Sequence, residues 1–220
     1  LVWTPAGEPV LLAHGGLGQD YSREGLVRDT CTASRMLPPE HAWLDNTLPS
    51  FRAAFDFGAD VVELDVHLTT DGEFAVFHDW TIDCRTEGSG VTREHSMAEL
   101  RTLDVGYGYT ADGGRTFPFR GRGVGMMPSL TDVLEAFPDR RFLVNVKSDD
   151  PAEGAALVGL VLPGESSMLL AGVVVYQGNA EGLLVYASGI AGAVTRATGT
   201  PSGYRVDEVA RPEASAGPLP

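Results

Sequence analysis

An α/β fold, a (β/α)8 barrel of the TIM type, is predicted by three short strands that carry ionisable groups at or near their ends. Residues 10–13 form an apolar run that closes on His14-Gly15-Gly16. Residues 60–79, DVVELDVHLTTDGEFAVFHD, read as two strands around the turn Thr70-Asp71-Gly72. Alternation puts Val62, Leu64 and Val66 on one face of the first, and Glu63, Asp65 and His67 on the other. The second ends in His78-Asp79. Polar groups converging at the carboxyl ends of buried strands are how such a barrel builds its active face. Each feature alone has an ordinary explanation: a strand-end histidine is commonly a structural hydrogen-bonder, and Glu-x-Asp can be the wet face of a half-exposed sheet. Three in sequence make chance the weaker account.

Strands are expected over 10–13, 61–66, 74–77 and 142–146, with Val173–Tyr176 and Ala193–Arg196 as further candidates. Asn46 and Thr47, with Pro49 just inside and then Leu48, Phe51 and Phe55, spell a capped amphipathic helix ended by Gly58. Ser96 with Glu99, and Ser129 with Asp132, are capping boxes opening two more helices. The glycine-rich stretch from Gly106 to Gly125 matches neither Walker nor dinucleotide spacing. It reads as a loop over the barrel mouth whose Tyr107, Tyr109, Phe117 and Phe119 shape a pocket. His41 and His95 read as surface or capping residues.

With 220 residues, 43% of them hydrophobic, the chain can bury one sizeable core. A barrel of this type usually takes about 250 residues. After Asp150 the sequence has no His, Cys, Trp or Lys and is rich in Ala, Gly, Pro and Ser. The barrel domain is therefore placed at 8–200 and reads as cut short at its C-terminal end, with 201–220 as a disordered tail.

The net charge of −14 argues against nucleic acid and anionic membrane surfaces as partners. It also means that an anionic substrate needs compensating cations. Glu63 and Asp65, two like charges on one strand face with no basic residue between them, call for a divalent metal. Lys147 is the only lysine among 16 basic residues, and by the period-2 rule it shares a face with Asn145. A role at a phosphate or in the metal network is favoured over a solvated strand-end cation. Cys31 and Cys84 fall in loops that a barrel places on one face, so a disulfide and two free thiols are both open. The chain begins at Leu1, and no apolar run reaches the ~18 residues of a membrane span. The expectation is an exported enzyme whose signal or anchor lies outside this sequence.

In order and spacing, residues 8–152 resemble the glycerophosphodiester phosphodiesterase family. The family's His-Arg-Gly, Glu-Asn-Thr, Glu-x-Asp and His-Asp stand here as His14-Gly15-Gly16, Asp45-Asn46-Thr47, Glu63-Leu64-Asp65 and His78-Asp79. Met127-Pro128-Ser129-Leu130 looks like its Ile-Pro-Thr-Leu, and Asn145-Val146-Lys147 stands where it has an acidic residue, a spacer and Lys. The resemblance implies a metal-dependent phosphoric diester hydrolase of glycerophospholipid metabolism, releasing glycerol phosphate and an alcohol. It implies one Ca²⁺ or Mg²⁺ on Glu63, Asp65 and Asn145, and an acid–base pair in His14 and His78. Lys147, Asp45 and Gly15 fall at the substrate. Three positions depart: Gly15 replaces an Arg that contacts phosphate, Asp45 shortens a Glu, and Asn145 replaces an acidic metal ligand. They keep open a catalytically impaired remnant or phosphate-binding module, and the shared barrel architecture with the Gly106–Gly125 aromatics keeps open a phospholipase D-like lipid phosphodiesterase. They also set an expectation that Gly15→Arg improves turnover by restoring a bidentate fork, with Lys147 and Arg85 as the nearest substitutes.

Overall fold

The computed structural model describes residues 11–27, 29–148 and 150–161, and beyond them the strand segments 173–177, 184–187, 194–200 and 203–210. Strand β1 (Leu12–His14) leads through a long loop into α1 (Leu48–Asp56). The Thr47 hydroxyl caps that helix by accepting from the Ser50 N–H, with Pro49 in the first turn, where its missing donor costs nothing. Then follow β2 (Val61–Leu68), β3 (Phe74–Val76), α2 (Met97–Leu100), α3 (Leu130–Ala136), β4 (Arg141–Val146), α4 (Pro151–Val161) and β5 (Val173–Gln177). Both capping boxes form, Ser96 with Glu99 and Ser129 with Asp132. Three further strands close the series: β6 (Leu184–Ala187), β7 (Val194–Thr200) and β8 (Gly203–Ala210).

Strands β1, β2, β4 and β5 pair in parallel, with His14 opposite Glu63, Asp65 opposite Asn145, and Asn145 opposite Tyr176. The third predicted strand differs from a barrel strand. β3 runs antiparallel to β2, pairing with Val66–Leu68, because the turn at Thr70–Gly72 sends the chain straight back. β1 pairs with Val61–Glu63 and β4 occupies the opposite edge of β2. β1 and β3 therefore meet end to end on one edge. One leaves at His14; the other arrives at His78.

Beyond β5 the pairing is an antiparallel meander, β5-β6-β7-β8. The Ala193–Arg196 candidate thus falls largely within β7, but not as a parallel barrel strand. Gly203–Ala210, assigned to a disordered tail, is strand β8; residues 211–220 lie outside the described residues, as does Val10.

Two apolar clusters position the site. In one, Phe51 and Phe55 of α1 meet Val62, Leu64, Val66, Phe137, Phe142 and Val144 across the sheet face, with edge-on ring contacts of Phe51 and Phe55 to Phe142. Burying each such ring contributes ~1.5–3 kcal/mol. The second lies under the loops: Ala33, Met36, Leu44, Phe77, Ile82, Leu100, Tyr109, Phe119 and Met127. Tyr109 and Phe119 are thus core residues rather than pocket walls, and Tyr107 and Phe117 flank the guanidinium of Arg120 at 3.8 and 3.7 Å. Cys31 and Cys84, packed on this cluster, are disulfide-bonded with Cα atoms 5.4 Å apart. A cross-link spanning 53 residues contributes ~4 kcal/mol by restricting the unfolded chain. Among the described residues no helix is long and apolar enough to cross a membrane.

Candidate active site

The wet-face explanation of Glu63 and Asp65 fails on burial. Every residue from Val62 to His67 is buried, and Glu63, Asp65 and His67 are only 5%, 1% and 1% exposed. Buried carboxylates need partners, and these have them. Glu63 Oε2 accepts from the Gly15 N–H at 3.2 Å and lies 3.8 Å from His14 Nε2. Asp65 Oδ1 accepts from Asn145 Nδ2 at 2.9 Å and pairs with Lys147 Nζ at 3.2 Å. Asp65 Oδ2 accepts from Asn46 Nδ2 at 3.2 Å, while Asn46 Oδ1 accepts from the Asp65 N–H at 3.1 Å. Burial, and then the negative charge of Asp65, push Glu63 up to about 7 against the opposing pull of the Gly15 N–H, Lys147 and His78. The carboxylate pair is therefore short of positive charge.

His78 is held by a different set. Its Nδ1 lies 2.8 Å from Asp79 Oδ1, and Asp79 Oδ2 accepts from Arg85 Nε at 3.0 Å. Arg85 also donates to both carboxylate oxygens of Asp45, at 2.6 and 2.8 Å, to Thr32 Oγ1 at 3.1 Å and to the Tyr109 hydroxyl. Tyr109 in turn donates to Asp45 Oδ1 at 2.8 Å. Burial would raise Asp79, yet Arg85 and His78 outweigh it and bring it down to about 2. Asp45 is lowered for the same reason, by Arg85 and the Tyr109 hydrogen bond against burial. Two expectations change here. Asp45 is engaged by Arg85 and Tyr109 rather than presented to a substrate, and Arg85, so engaged, does not substitute for an arginine at position 15.

Gly15 and Gly16 have φ of +66° and +77°. A Cβ on Gly16 would lie 2.6 Å from Ser50 Oγ and 2.8 Å from Phe51 Cδ1, so only glycine fits. A Cβ on Gly15 would lie 3.1 Å from the Asp45 Cβ, in a left-handed conformation that costs an L-residue ~1–2 kcal/mol. The expected gain from Gly15→Arg therefore comes with a strain cost. The substitution should destabilise by ~1–2 kcal/mol, read as a lower thermal midpoint, and an unchanged midpoint would contradict this. Gly15 acts through its N–H on Glu63.

A cleft of about 570 Å³ opens beside these groups, lined among others by His78, Asp79, Trp80, Asn145, Lys147 and the two disulfide cysteines. His14 and Glu63 are not in its lining; the His14 side chain is 73% exposed and reaches the site through Glu63. The sequence marked Asn46 as part of a helix cap and Arg85 as a phosphate-side cation, but not their contacts here: Asn46 holds Asp65, and Arg85 holds Asp79 and Asp45. Asn46 adopts φ +57°, a conformation Asn tolerates better than most residues. His67, on the Glu63–Asp65 face, has no hydrogen-bond partner at either ring nitrogen among the described residues. Burial pushes it down to about 4, so the ring is neutral at pH 7.

Parallel strands whose ends carry buried ionisable groups beside one cleft define an α/β protein of the TIM-barrel class. The chain belongs to the glycerophosphoryl diester phosphodiesterase family, whose model matches residues 31–180. It is 37% identical over 103 residues to the glycerophosphodiester phosphodiesterase of Caldanaerobacter subterraneus subsp. tengcongensis, covering 47% of this chain and 39% of that relative. Against the glycerophosphodiester phosphodiesterase of Bacillus subtilis the identity is 32% over 120 residues, covering 53% of this chain and 38% of the relative. The matches thus span less than half the length of these curated relatives. Among solved structures, a glycerophosphodiester phosphodiesterase from Agrobacterium tumefaciens superposes with a TM-score of 0.51 at 25% identity, over 78% of this chain and 59% of that one. The glycerophosphoryl diester phosphodiesterase domain of a Mycobacterium tuberculosis protein gives 0.56 at 20% identity, over 79% and 54%, a likeness of fold.

Proposed function

We propose that this chain forms the active face of a divalent-metal-dependent phosphoric diester hydrolase, which cleaves glycerophosphodiesters to glycerol phosphate and an alcohol in glycerophospholipid metabolism. One observation carries the reading: the buried pair Glu63 and Asp65 is deficient in positive charge and lies beside a histidine that Asp79 already orients. Two carboxylates and an amide oxygen suit a hard cation. Glu63, Asp65 and Asn145 would hold Ca²⁺ or Mg²⁺, Asn145 after a half-turn that exchanges its amide nitrogen for oxygen. Among the described residues no group of three His, Cys, Asp or Glu is placed to hold a metal ion, so this site would rest on two carboxylates and an amide. When bound, the ion neutralises phosphate charge.

The protein's own groups supply the rest. Lys147 reaches both Asp65 and the cleft and binds a non-bridging phosphate oxygen. His78, with Nδ1 committed to Asp79, has Nε2 for proton transfer; His14 Nε2 lies beside Glu63. One takes the proton of the nucleophile and the other returns one to the leaving alkoxide. The disulfide supports an exported protein in an oxidising compartment. Release of glycerol phosphate from glycerophosphocholine and glycerophosphoethanolamine, assayed with Ca²⁺, Mg²⁺ or chelator, tests the reading. Cation-dependent release is expected, and none with any ion at saturating substrate would refute it.

The raised Glu63 gives a pH signature. Its folded value, about 7, exceeds the unfolded 4.5, so between those values the folded protein binds more protons than the unfolded chain. Stability of the cation-free protein should therefore fall as pH rises through that window. Thermal midpoints in chelator are expected to decline from about pH 5 to about pH 7.5, with a shallower decline in Glu63→Gln. Identical slopes for the two proteins would rule out Glu63 as the source.

A further inference from the structure

We infer that Arg85 is the positioning residue of His78, holding its imidazole in one tautomer through Asp79, and that the Cys31–Cys84 disulfide keeps that clamp closed; the catalytic meaning of this rests on the hydrolase reading above. Arg85 is 6% exposed. Its Nε holds Asp79 Oδ2, one terminal nitrogen spans Asp45 and the Tyr109 hydroxyl, and the other reaches Thr32 Oγ1. The guanidinium carbon also lies 5.5 Å from the centre of the Tyr109 ring.

Asp79 divides its two oxygens between opposite partners, Oδ2 to Arg85 and Oδ1 to His78 Nδ1. With Oδ2 fixed, the carboxylate cannot swing away from the ring. The Nδ1 position must then carry the proton, since ionised Asp79 only accepts. Nε2 is thereby left to the cleft. The planar fork is needed because Asp79, Asp45 and Thr32 are reached in three directions at once; a lysine ammonium is a point donor and cannot span them. The disulfide joins the residues immediately before the two ends of this clamp, Cys31 before Thr32 and Cys84 before Arg85. It lies in the same cleft wall as His78.

The test is the His78 ring signal in ¹⁵N–¹H NMR of the oxidised protein, compared with Arg85→Lys and with the double variant Cys31→Ser, Cys84→Ser, which keeps the guanidinium but frees the clamp. Wild-type His78 is expected as the Nδ1-protonated tautomer. Arg85→Lys should convert it to a mixture or to the Nε2 tautomer, and the cysteine variant should move it partway. In activity, kcat should fall ~10-fold or more with KM within about twofold, and the histidine limb of the pH–rate profile should shift. An unchanged tautomer in both variants overturns the inference, as does a KM effect with an unchanged pH profile. Because the NMR readout needs no turnover, an inert wild-type protein would count against the hydrolase reading and leave this result to stand or fall by itself. If Arg85→Lys does not fold, the cysteine variant decides: a wild-type tautomer there overturns the role given to the disulfide and the clamp.

Discussion

Replacing His78 by Ala should lower turnover of a glycerophosphodiester by ~10²-fold or more while the fold is retained. The ring is a third exposed, lies in the cleft lining and hydrogen-bonds Asp79. Little of the core depends on it, whereas the proposed proton transfer in the cleft does. His14→Ala should act in the same direction, since His14 lies beside Glu63 on the same edge of β2. His41 is the control. It contacts Gln19 at 3.0 Å, away from the cleft, and His41→Ala should leave turnover within about twofold. Loss of turnover in His41→Ala, with His78→Ala unaffected, would show that the strand-end histidines are not the acid–base pair.

Comparable in size is the effect of removing the cation. Chelator should abolish hydrolysis, and Ca²⁺ or Mg²⁺ should restore it. Glu63→Gln should mimic the chelator by ~10²-fold or more, because the near-isosteric amide removes an anionic oxygen and little else. Asp65 is the poorer choice for substitution. It balances the half-buried Lys147 and accepts from Asn46 and Asn145, so its loss would disturb these partners as well as the cation site. Full activity in excess chelator would remove the metal from the mechanism.

What was legible in the sequence was local. The Thr47 cap with Pro49, the two capping boxes and the single-face alignment of Glu63, Asp65 and His67 follow from spacings of a few residues, and the structure has all of them. The direction of β3 was decided by a three-residue turn, and reading it as a hairpin explains how His78 returns to the level of Asp65, whose carbonyl accepts from the Phe77 N–H at 3.0 Å. The bonds that fix the site's charges were not legible. Arg85 meets Asp45 across 40 residues and Tyr109 meets it across 64; no periodicity encodes such meetings. Tyr109 and Phe119 were drawn into a core under the loops by the same apolar surface that suggested a pocket wall. The antiparallel run from β5 to β8 likewise depends on pairings that composition alone does not specify.

The central claim is that Glu63 and Asp65 hold a divalent ion facing His78. An anomalous-difference map of crystals grown with Mn²⁺, as a scattering substitute for Ca²⁺ or Mg²⁺, tests it most directly. The expected result is one strong peak within coordination distance of Glu63 and Asp65 carboxylate oxygens, with the Asn145 amide oxygen turned toward it. A peak elsewhere, or none beside Glu63 and Asp65 at saturating Mn²⁺, would contradict it.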